Sequence, residues 1–333
     1  MAVGMILIDE VLEGLRLHST VFCRMTLSGD WGFAKDALGG APFHLLLTGR
    51  ASLLKDDLDE PMWLEPGDIV VLPRGEAHCL VSHAGAETVP FHEVSTSLGM
   101  SPWTPGTRYK AVDLRFGSGS PTTTLISGVF DFGDRRRNPL LAALPSVFLL
   151  RVSSQTATAS TVATLTTLLD SELLSGLPGA ESVSARLADI LFIQVVRSYL
   201  TSAGELPKGW LRGITDAEIA PALALMHRAP EQPWSVATLA RDIGMSRSRF
   251  ARRFHDVVGQ APLEYLTHWR MYQAAGILAD GKIALPALAA SVGYRSEVSF
   301  SKAFKRWAGR PPAEYRRWLL AKKSHEFEQA ESR

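Results

Sequence analysis

The 333-residue sequence predicts an α+β protein of two or three domains, with a β-rich N-terminal domain, a central helical segment and an all-α C-terminal domain. Three observations support this fold class. Short apolar runs broken by glycine and proline fill residues 1–133. Longer helical patterns occupy 134–209, and a helical pattern that occurs twice occupies most of 210–333. We therefore expect domain boundaries near residues 133 and 209.

The composition is that of a globular protein, with 46% hydrophobic and 21% charged residues. The two cysteines cannot form a disulfide framework, which favours a reducing compartment. Asp9 and Glu10 interrupt the first apolar run, and no basic region precedes it, so the start does not resemble a signal peptide. The longest apolar cluster, Ile190–Val196, is far too short to cross a bilayer. We therefore expect a cytoplasmic protein with no membrane partner.

The region before residue 133 predicts several short strands, which suit a small barrel or jelly roll. A short helix is expected before them, at Leu7–Leu17. The apolar runs that predict strands lie at Phe43–Leu47, Ala51–Leu54, Ile69–Leu72, His78–Val81 and Leu125–Phe132. Glycine and proline residues separate these runs and mark the turns between the strands.

One segment of this region, Gly67–His78, has the pattern G-x5-P-x-G-x2-H. It predicts a turn, a strand, a tight turn at Pro73 and Gly75, and a second strand that begins at His78. The pattern resembles the second motif of the cupin family. The resemblance implies a cupin-like β-barrel that senses a small molecule, with the side chain of His78 pointing into the barrel.

Cupin enzymes usually bind a metal, and the resemblance implies that the other ligands would be a histidine pair and a glutamate from a first motif. The expected place for that motif, Phe43–Leu47, offers only His44. His83 and His92 are available as additional ligands, although no spacing requires them. We therefore expect His44 and His78 to bind an effector, with no metal, no cofactor and no catalytic residues.

The segment 134–209 predicts helices and a linker. Ser160–Leu174 and Val183–Leu200 have helical apolar patterns, separated by a break at Gly176–Gly179. The apolar residues of the second helix surround almost its whole circumference, so something other than its sequence neighbours must cover one face. Burial inside the N-terminal domain would meet that need, and so would a second copy of the chain. We expect a homodimer, and Ser202–Gly209 is expected to be a polar linker.

The C-terminal region contains an internal repeat, since twelve positions recur in the same order. Five positions recur after 49 residues and seven more after 50, because the second turn is one residue longer. The first copy contains Val236, Leu239, Ala240, Ile243, Gly244, Ser246, Phe250, Phe254, Gly259, Pro262, Glu264 and Tyr265. The second contains Leu285, Leu288, Ala289, Val292, Gly293, Ser296, Phe300, Phe304, Gly309, Pro312, Glu314 and Tyr315. Each copy predicts two helices joined by a turn at a glycine, which is a helix-turn-helix arrangement.

Each copy also predicts which face of its second helix is exposed. Ser246 is placed to cap the second helix of the first copy. Phe250 and Phe254 lie about one turn apart and predict a buried face, which leaves Arg252 on the outer face.

Between the copies, Pro262–Ala279 predicts a single helix that would span ~27 Å. That length is comparable with one DNA turn of ~34 Å, so both second helices could enter successive major grooves.

Charge distinguishes the C-terminal region from the rest of the chain. Residues 230–333 contain 17 Lys and Arg against 10 Asp and Glu, a balance of +7. Residues 1–229 contain 18 against 24, a balance of −6. A plain helical bundle would explain the apolar spacing but not this asymmetry. A basic end on a mildly acidic body suits a polyanionic partner for that end only, and the sequence therefore indicates DNA binding.

Residues Trp234–Arg317 resemble the DNA-binding domain of the AraC/XylS family of bacterial transcription regulators. The likeness is specific in Gly244–Phe254 and in Phe304–Arg317. It implies base readers at Ser248, Ala251 and Arg252 in the first copy and at Glu297, Val298 and Lys302 in the second. The full set of expected DNA-binding residues is Arg247, Ser248, Arg249, Ala251, Arg252, Glu297, Val298, Ser299, Lys302 and Lys305. Ala251 and Val298 are unusual among these base readers, because neither side chain can hydrogen-bond to a base edge.

These observations predict a sequence-specific transcription regulator that a small-molecule effector controls. The expected partners are double-stranded promoter DNA, the effector, RNA polymerase and a second copy of the chain. Two alternatives stay open: a cupin-type metalloenzyme with a DNA-binding appendage, and an architectural DNA binder that responds to no effector. Stoichiometric Fe, Mn or Zn bound at His78 would favour the enzyme. Equal DNA affinity with and without cell metabolites would favour the architectural protein.

Overall fold

The computed structural model describes most of the chain, in two compact units. The described residues are 17–100, 103, 109–132, 143–151, 157–202, 208–279, 281 and 283–320. Residues 15–136 and 144–204 belong to the first unit, and the second unit consists mainly of residues 205–333. The helix expected at Leu7–Leu17 lies outside the described residues, apart from Leu17 itself.

The first unit is built on two β-sheets. Its strands are β1 (His18–Ser28), β2 (Gly32–Lys35), β3 (Ala41–Thr48), β4 (Ala51–Leu54), β5 (Met62–Leu64), β6 (Ile69–Val71), β7 (His78–Val81), β8 (Val89–Pro90), β9 (Val112–Phe116), β10 (Pro121–Asp131) and β11 (Phe148–Leu150). One sheet has the strand order β11-β6-β3-β10-β1-β9, and the other has the order β5-β4-β7-β2-β8. The strand pairs are antiparallel except β1 with β9 and β2 with β8, which are parallel.

The hydrophobic core of this unit contains side chains from both sheets. Along β1, buried and partly exposed residues alternate, so that Cys23, Met25 and Leu27 face the core. Phe33 of β2 and Leu80 of β7 belong to the same core and come from the other sheet. The strands expected from the apolar runs are confirmed, and they form two separate sheets, with no closed barrel among the described residues.

Helices α1 (Phe91–Ser97), α2 (Ala157–Ser175) and α3 (Ala180–Ser202) also belong to the first unit. The chain turns between α2 and α3 at two glycines with positive φ, Gly176 and Gly179, which confirms the predicted break. α3 packs on β1, where the Asp189 carboxylate accepts a hydrogen bond from the backbone N–H of Ser19 at 3.0 Å. The helix α3 is therefore attached to the sheet through a specific polar contact.

The second unit is helical in all the regular elements that the structure describes in it. Its helices are α4 (Trp210–Thr215), α5 (Ala220–Arg228), α6 (Val236–Asp242), α7 (Arg247–Val258), α8 (Pro262–Ala279), α9 (Leu285–Ser291) and α10 (Glu297–Ala308). A last helix, α11, covers 312–320. α4 has no counterpart among the predicted helices. Most of the expected linker Ser202–Gly209 lies outside the described residues, while Ser202 ends α3 and Gly209 directly precedes α4.

The internal repeat is confirmed as two helix-turn-helix motifs, α6–α7 and α9–α10. Ser246 caps α7 as expected, because its hydroxyl accepts a hydrogen bond from the backbone N–H of Arg249. Ser296 caps α10 in the same way. The turn glycines, Gly244 and Gly293, have φ of 71° and 79°, which few residues other than glycine adopt.

α8 joins the two motifs and contributes to the core of each. Its bounds, Pro262–Ala279, are those predicted from the sequence. Near its start, the ring of Tyr265 lies 5.8 Å from that of Phe254 in the first motif. Farther along, Met271 and Leu278 are buried together with residues of the second motif. Among the helices of the described part of the chain, none is both long enough and apolar enough to cross a membrane.

Candidate functional site

The first candidate surface is the outer face of α7. Phe250 and Phe254 are fully buried on its inner face, because they lie one turn apart and pack into the core of the motif. The predicted DNA-binding residues Arg247, Ser248, Arg249 and Arg252 are exposed, and Ala251 is half-buried. α7 therefore has one anchored face and one strongly basic exposed face.

Within α7, Arg249 forms an ion pair that the sequence analysis did not anticipate. Its guanidinium is paired with the carboxylate of Glu218, which lies just before α5. Arg253 lies one turn farther along and is paired with the same carboxylate at 3.5 Å and with Asp216 at 2.5 Å. Asp216 is fixed in turn, because its other oxygen accepts hydrogen bonds from the backbone N–H groups of Glu218 and Ile219. Two α7 arginines are therefore paired with acidic residues from the segment just before α5.

The second candidate surface is the outer face of α10. Its buried face again consists of two phenylalanines, Phe300 and Phe304. The predicted DNA-binding residues on this helix are Glu297, Val298, Ser299, Lys302 and Lys305, and all of them are exposed. Val298 is 64% exposed, which is high for a large apolar side chain. Within the described part of the chain, no carboxylate lies within 4.0 Å of Arg252, Lys302 or Lys305.

Contacts at α8 fix the two motifs relative to each other. The guanidinium of Arg270 donates hydrogen bonds to the backbone carbonyls of Pro230 and Gln232, at 2.6 and 2.7 Å. A side chain at Gly293 would place its Cβ 2.7 Å from the carbonyl oxygen of Glu231, so the turn of the second motif approaches this backbone segment closely. The start of the first motif, α8 and the turn of the second motif are therefore held together.

A buried histidine, His227 of α5, completes the packing on α8. Its ring is stacked on Trp269, with 3.8 Å between the ring centroids, and its Nε2 is hydrogen-bonded to the hydroxyl of Tyr265 at 2.6 Å. Burial lowers the pKa of His227 to about 3. The imidazole is therefore neutral and acts as a packing element between α5 and α8. No local motif in the sequence marks this role.

The third candidate site lies inside the first unit, where the two sheets face each other. Nε2 of His44 lies 2.8 Å from Nε2 of His78, and the two histidines come from different sheets. The strand register brings two further polar residues beside them. Ser127 lies opposite His44 on β10, and Lys35 lies opposite His78 on β2. The structure therefore brings together both predicted effector-binding residues and adds Lys35 and Ser127.

The hydrogen bonds around the histidines satisfy every ring nitrogen when both rings are neutral. Nδ1 of His78 donates to the backbone carbonyl of Glu76 at 3.0 Å, so Nε2 of His78 accepts from Nε2 of His44. Nδ1 of His44 then accepts from the Ser127 hydroxyl at 2.7 Å. Burial, followed by the positive charge of Lys35, lowers the pKa of His44 well below its usual range. Burial also lowers the pKa of His78 to about 4.

These polar residues line one side of a cavity of about 270 Å³. The rest of the lining is mainly apolar and includes Phe22, Phe91, Met100, Trp103 and Val129. The cavity offers the apolar walls and few polar groups that are typical of small-molecule sites. Sequence reasoning missed Lys35 because only the pairing of β2 with β7 brings it next to His78.

The histidines suggested as additional metal ligands do not join His44 and His78. His83 is paired with Asp30 at 3.4 Å, and His92 at the pocket wall is paired with Asp36 at 3.3 Å. Among the residues that the structure describes, no group of three or more His, Cys, Asp or Glu side chains is placed to hold a metal ion. The described donor set around His78 is therefore a pair of histidines.

Comparison with known proteins covers nearly the whole chain. Residues 7–201 match the family described as Cupin, and residues 239–317 match the family described as Helix-turn-helix domain. A protein of Streptomyces lividans described as an AraC-like transcription regulator is 36% identical over 93% of this chain and 97% of its own length. A protein of Streptomyces antibioticus with the same description is 34% identical over 93% and 98%. The HTH-type transcriptional regulator AlkR of Acinetobacter baylyi is 31% identical over 93% and 98%.

Proposed function

The chain belongs to the AraC-like family of DNA-binding transcription regulators, and from this premise we propose that a small molecule bound between its two sheets controls its action at promoters. The observation that carries the proposal is the combination of two exposed recognition helices in one unit with a partly polar cavity in the other. The first feature suits DNA, and the second suits an effector.

The outer faces of α7 and α10 provide the proposed DNA contacts. Arg252 is the strongest base reader available, because its guanidinium can donate two hydrogen bonds to O6 and N7 of guanine. Ala251 and Val298 would pack on thymine methyl groups, since they offer no hydrogen-bonding atom. Lys305 lies farther along its helix and carries a point charge at the end of a mobile chain, which suits a phosphate. The remaining contacts would come from Arg247, Ser248, Arg249, Glu297, Ser299 and Lys302.

Arg249 takes part in this interface only after a change of partner. Its pairing with Glu218 directs the guanidinium towards the start of α5. A DNA phosphate that approaches α7 would compete with that carboxylate for Arg249. We therefore assign Arg249 to phosphate binding and leave base reading at α7 mainly to Arg252.

The effector is proposed to act through the strands that form the wall of the cavity. His44 faces the cavity, and its neighbour Phe43 on β3 points to the opposite face of the sheet. There Phe43 is stacked on Phe130, with 4.4 Å between the ring centroids, and Phe130 lies 5.1 Å from Phe192 of α3. A ligand that shifts β3 would therefore displace α3 through this chain of neighbouring aromatic rings.

The helices α2 and α3 form the proposed dimer interface. Several of their large apolar side chains are exposed in the single chain, namely Leu168, Leu174, Val183 and Ile190. Leu177, in the turn between the helices, is 63% exposed. A second copy would cover this surface, and a two-fold dimer would present two DNA-binding units to one promoter. Sedimentation of the full chain, compared with an Ile190→Glu variant, measures this directly.

Two further parts of the proposal concern the location of the protein in the cell and the role of its cavity. We assign it to the cytoplasm, where it would meet RNA polymerase, because a promoter-bound regulator acts on transcription there. We also propose that the cavity serves sensing and not catalysis. The neutral pair of His44 and His78 already satisfies its own hydrogen bonds, and the described residues beside it provide no further metal ligand.

Genome-wide occupancy of the tagged full chain tests the proposed function. We expect sharp binding at a small set of promoters, and that binding should change when cells are grown on different carbon sources. An Arg252→Ala variant that folds normally should lose these sites while it keeps weak binding elsewhere. Even coverage of the genome under every condition would instead support the architectural alternative.

A further inference from the structure

We propose that the effector is a compact, largely apolar molecule with one anionic group, and that Lys35 binds this group. The inference rests on the proposed function, because it names the chemical class of molecule that the cavity of the first unit would sense.

Lys35 brings a positive charge into the cavity without a carboxylate to balance it. Among the described residues, no carboxylate oxygen lies within 4.0 Å of its Nζ. Asp36 follows it in the chain, but the Asp36 carboxylate is 81% exposed and paired with His92. The Lys35 ammonium lies over the ring of Phe91, whose centroid is 3.5 Å from Nζ. A ring face attracts a cation but carries no net charge, so the ammonium remains uncompensated.

The other buried titratable groups around Lys35 are neutral, whereas Asp36 and His92, which also line the cavity, have exposed side chains. Burial lowers the pKa of His44 and His78, which face Lys35 from β3 and β7. Burial raises the pKa of the Cys23 thiol, which faces it from β1, to about 11. Burial also lowers the pKa of Lys35 itself to about 8, and the neighbouring Cys23 opposes part of that shift. Below about pH 8, Lys35 is therefore the charged group of this interior cluster, and it makes the cavity attractive to an anion.

The remaining polar groups argue against a ligand rich in hydroxyl groups. His44, His78 and Ser127 are hydrogen-bonded to one another and to the backbone of Glu76. A sugar or another polyol would need several free donors and acceptors, and binding it would break these bonds. An anionic group needs to contact only Lys35. A ligand that carries one therefore leaves the hydrogen bonds among His44, His78 and Ser127 intact.

The walls and the volume define the rest of the ligand. Phe22, Phe91, Met100 and Trp103 provide flat or flexible apolar surfaces, which suit an aromatic or aliphatic body. The cavity of about 270 Å³ is at the small end of the range for ligand pockets, so it suits a small molecule. Small carboxylic acids with an aromatic ring or a short alkyl chain have this size and charge.

Calorimetric titration of the full-length chain with matched probes tests the inference. The anionic probes are 3-phenylpropanoate and octanoate, the neutral probes are 3-phenylpropan-1-ol and 1-octanol, and 3-phenylpropylamine is the cationic probe. At about pH 7, we expect at least one acid to bind roughly tenfold more tightly than its alcohol, and the amine to bind least. Affinity for the acid should fall as the pH rises above the pKa of Lys35, because the neutral amine no longer attracts an anion.

Three variants assign the preference to Lys35. Lys35→Met should bind acid and alcohol equally, because it keeps the apolar length of the side chain and removes the charge. Lys35→Arg should keep the preference for the acid. Lys110→Met, which removes an exposed lysine, should behave as the wild type. Thermal unfolding of each variant confirms that it folds, and a Lys35→Met variant that fails to fold leaves the probe comparison in wild type and the pH series as the test.

The outcomes separate this inference from the proposed function. If the wild type binds acid and alcohol equally, or binds neither acid at millimolar concentration, the anionic class is wrong. If an alcohol then changes the affinity for operator DNA, the protein is still controlled by an effector, and only the anionic class of that effector is wrong. If an acid binds at Lys35 but never changes operator affinity, the inference stands and effector control is wrong.

Discussion

Glu218 and Arg249 form an ion pair that places a carboxylate beside the first recognition helix. The two residues are 31 positions apart, and Glu218 also contacts Arg253. Both partners are partly exposed, so the pair is screened by salt and contributes little to stability. Its importance lies in the position of Arg249, whose charge is satisfied within the protein before DNA arrives.

Removing the Glu218 carboxylate should strengthen DNA binding. Glu218→Gln frees Arg249, so we expect tighter binding to all DNA sequences and a salt slope steeper by roughly one unit. Fluorescence anisotropy at several salt concentrations measures both effects. Glu264→Gln, which removes an exposed carboxylate from the start of α8, is the matched control for net charge. Equal gains in the two variants would mean that only net charge matters.

Arg252→Ala should weaken specific binding and broaden sequence preference. We expect a loss of ~1–3 kcal/mol on the preferred operator and a relaxed choice at one base pair, because one bidentate contact to guanine disappears. Binding to a randomised operator library reads out both changes. A uniform loss of affinity with unchanged base preference would place another residue in the groove.

Lys305→Ala should weaken binding to every sequence alike. A phosphate contact carries no base information, so we expect unchanged sequence preference and a salt slope lower by roughly one unit. The same library at two salt concentrations separates this variant from Arg252→Ala. A changed preference at any single base pair would show that Lys305 reads a base.

His44→Ala combined with His78→Ala should alter the response to effector and leave basal DNA affinity nearly unchanged. Both histidines lie in the first unit, between the sheets, while the basic faces belong to the second unit. Operator binding and a promoter reporter, measured on the same variants, test the two halves of this prediction. Loss of DNA binding by either folded single variant would refute the assignment to a separate sensor.

The second unit should fold without the first. Limited proteolysis should cut first within 202–209, and a fragment of residues 208–333 should keep its helical circular dichroism. We include Lys208 and Gly209 because the backbone N–H of Gly209 donates a hydrogen bond to the carbonyl of Val257 on α7. The fragment should bind DNA more weakly than the whole chain, because it lacks the partner copy. If the fragment is unfolded, the proposed boundary between the two units is wrong.

Local signals explain why the second unit could be predicted in detail. Ser246 and Ser296 cap their helices, and Gly244 and Gly293 form the turns, because short side chains and positive φ act within a few residues. Pro262 marks the start of α8 for the same kind of reason. The exposure of Arg252 also followed from helix periodicity alone.

Long-range pairings explain what the sequence did not reveal. Lys35 lies in a strand of four residues with no marked apolar run, and only sheet register places it opposite His78. Glu218 looks like an ordinary surface residue until the fold brings it to Arg249. α4 has six residues and no repeated apolar spacing long enough to predict a helix. In each case the deciding neighbour is distant in the chain.

The bracing of α8 has a consequence for the shape of the DNA. Arg270 and Gly293 hold the two recognition helices on a rigid frame, so the spacing of these helices cannot adjust freely to the ~34 Å that separates successive major grooves on one face of straight DNA. The double helix would therefore have to adjust its curvature wherever its groove spacing differs from the spacing of the two helices. Flexible pyrimidine–purine steps between the two half-sites make such curvature easier. Operators should thus be distinguished partly by the bendability of base pairs that no side chain touches.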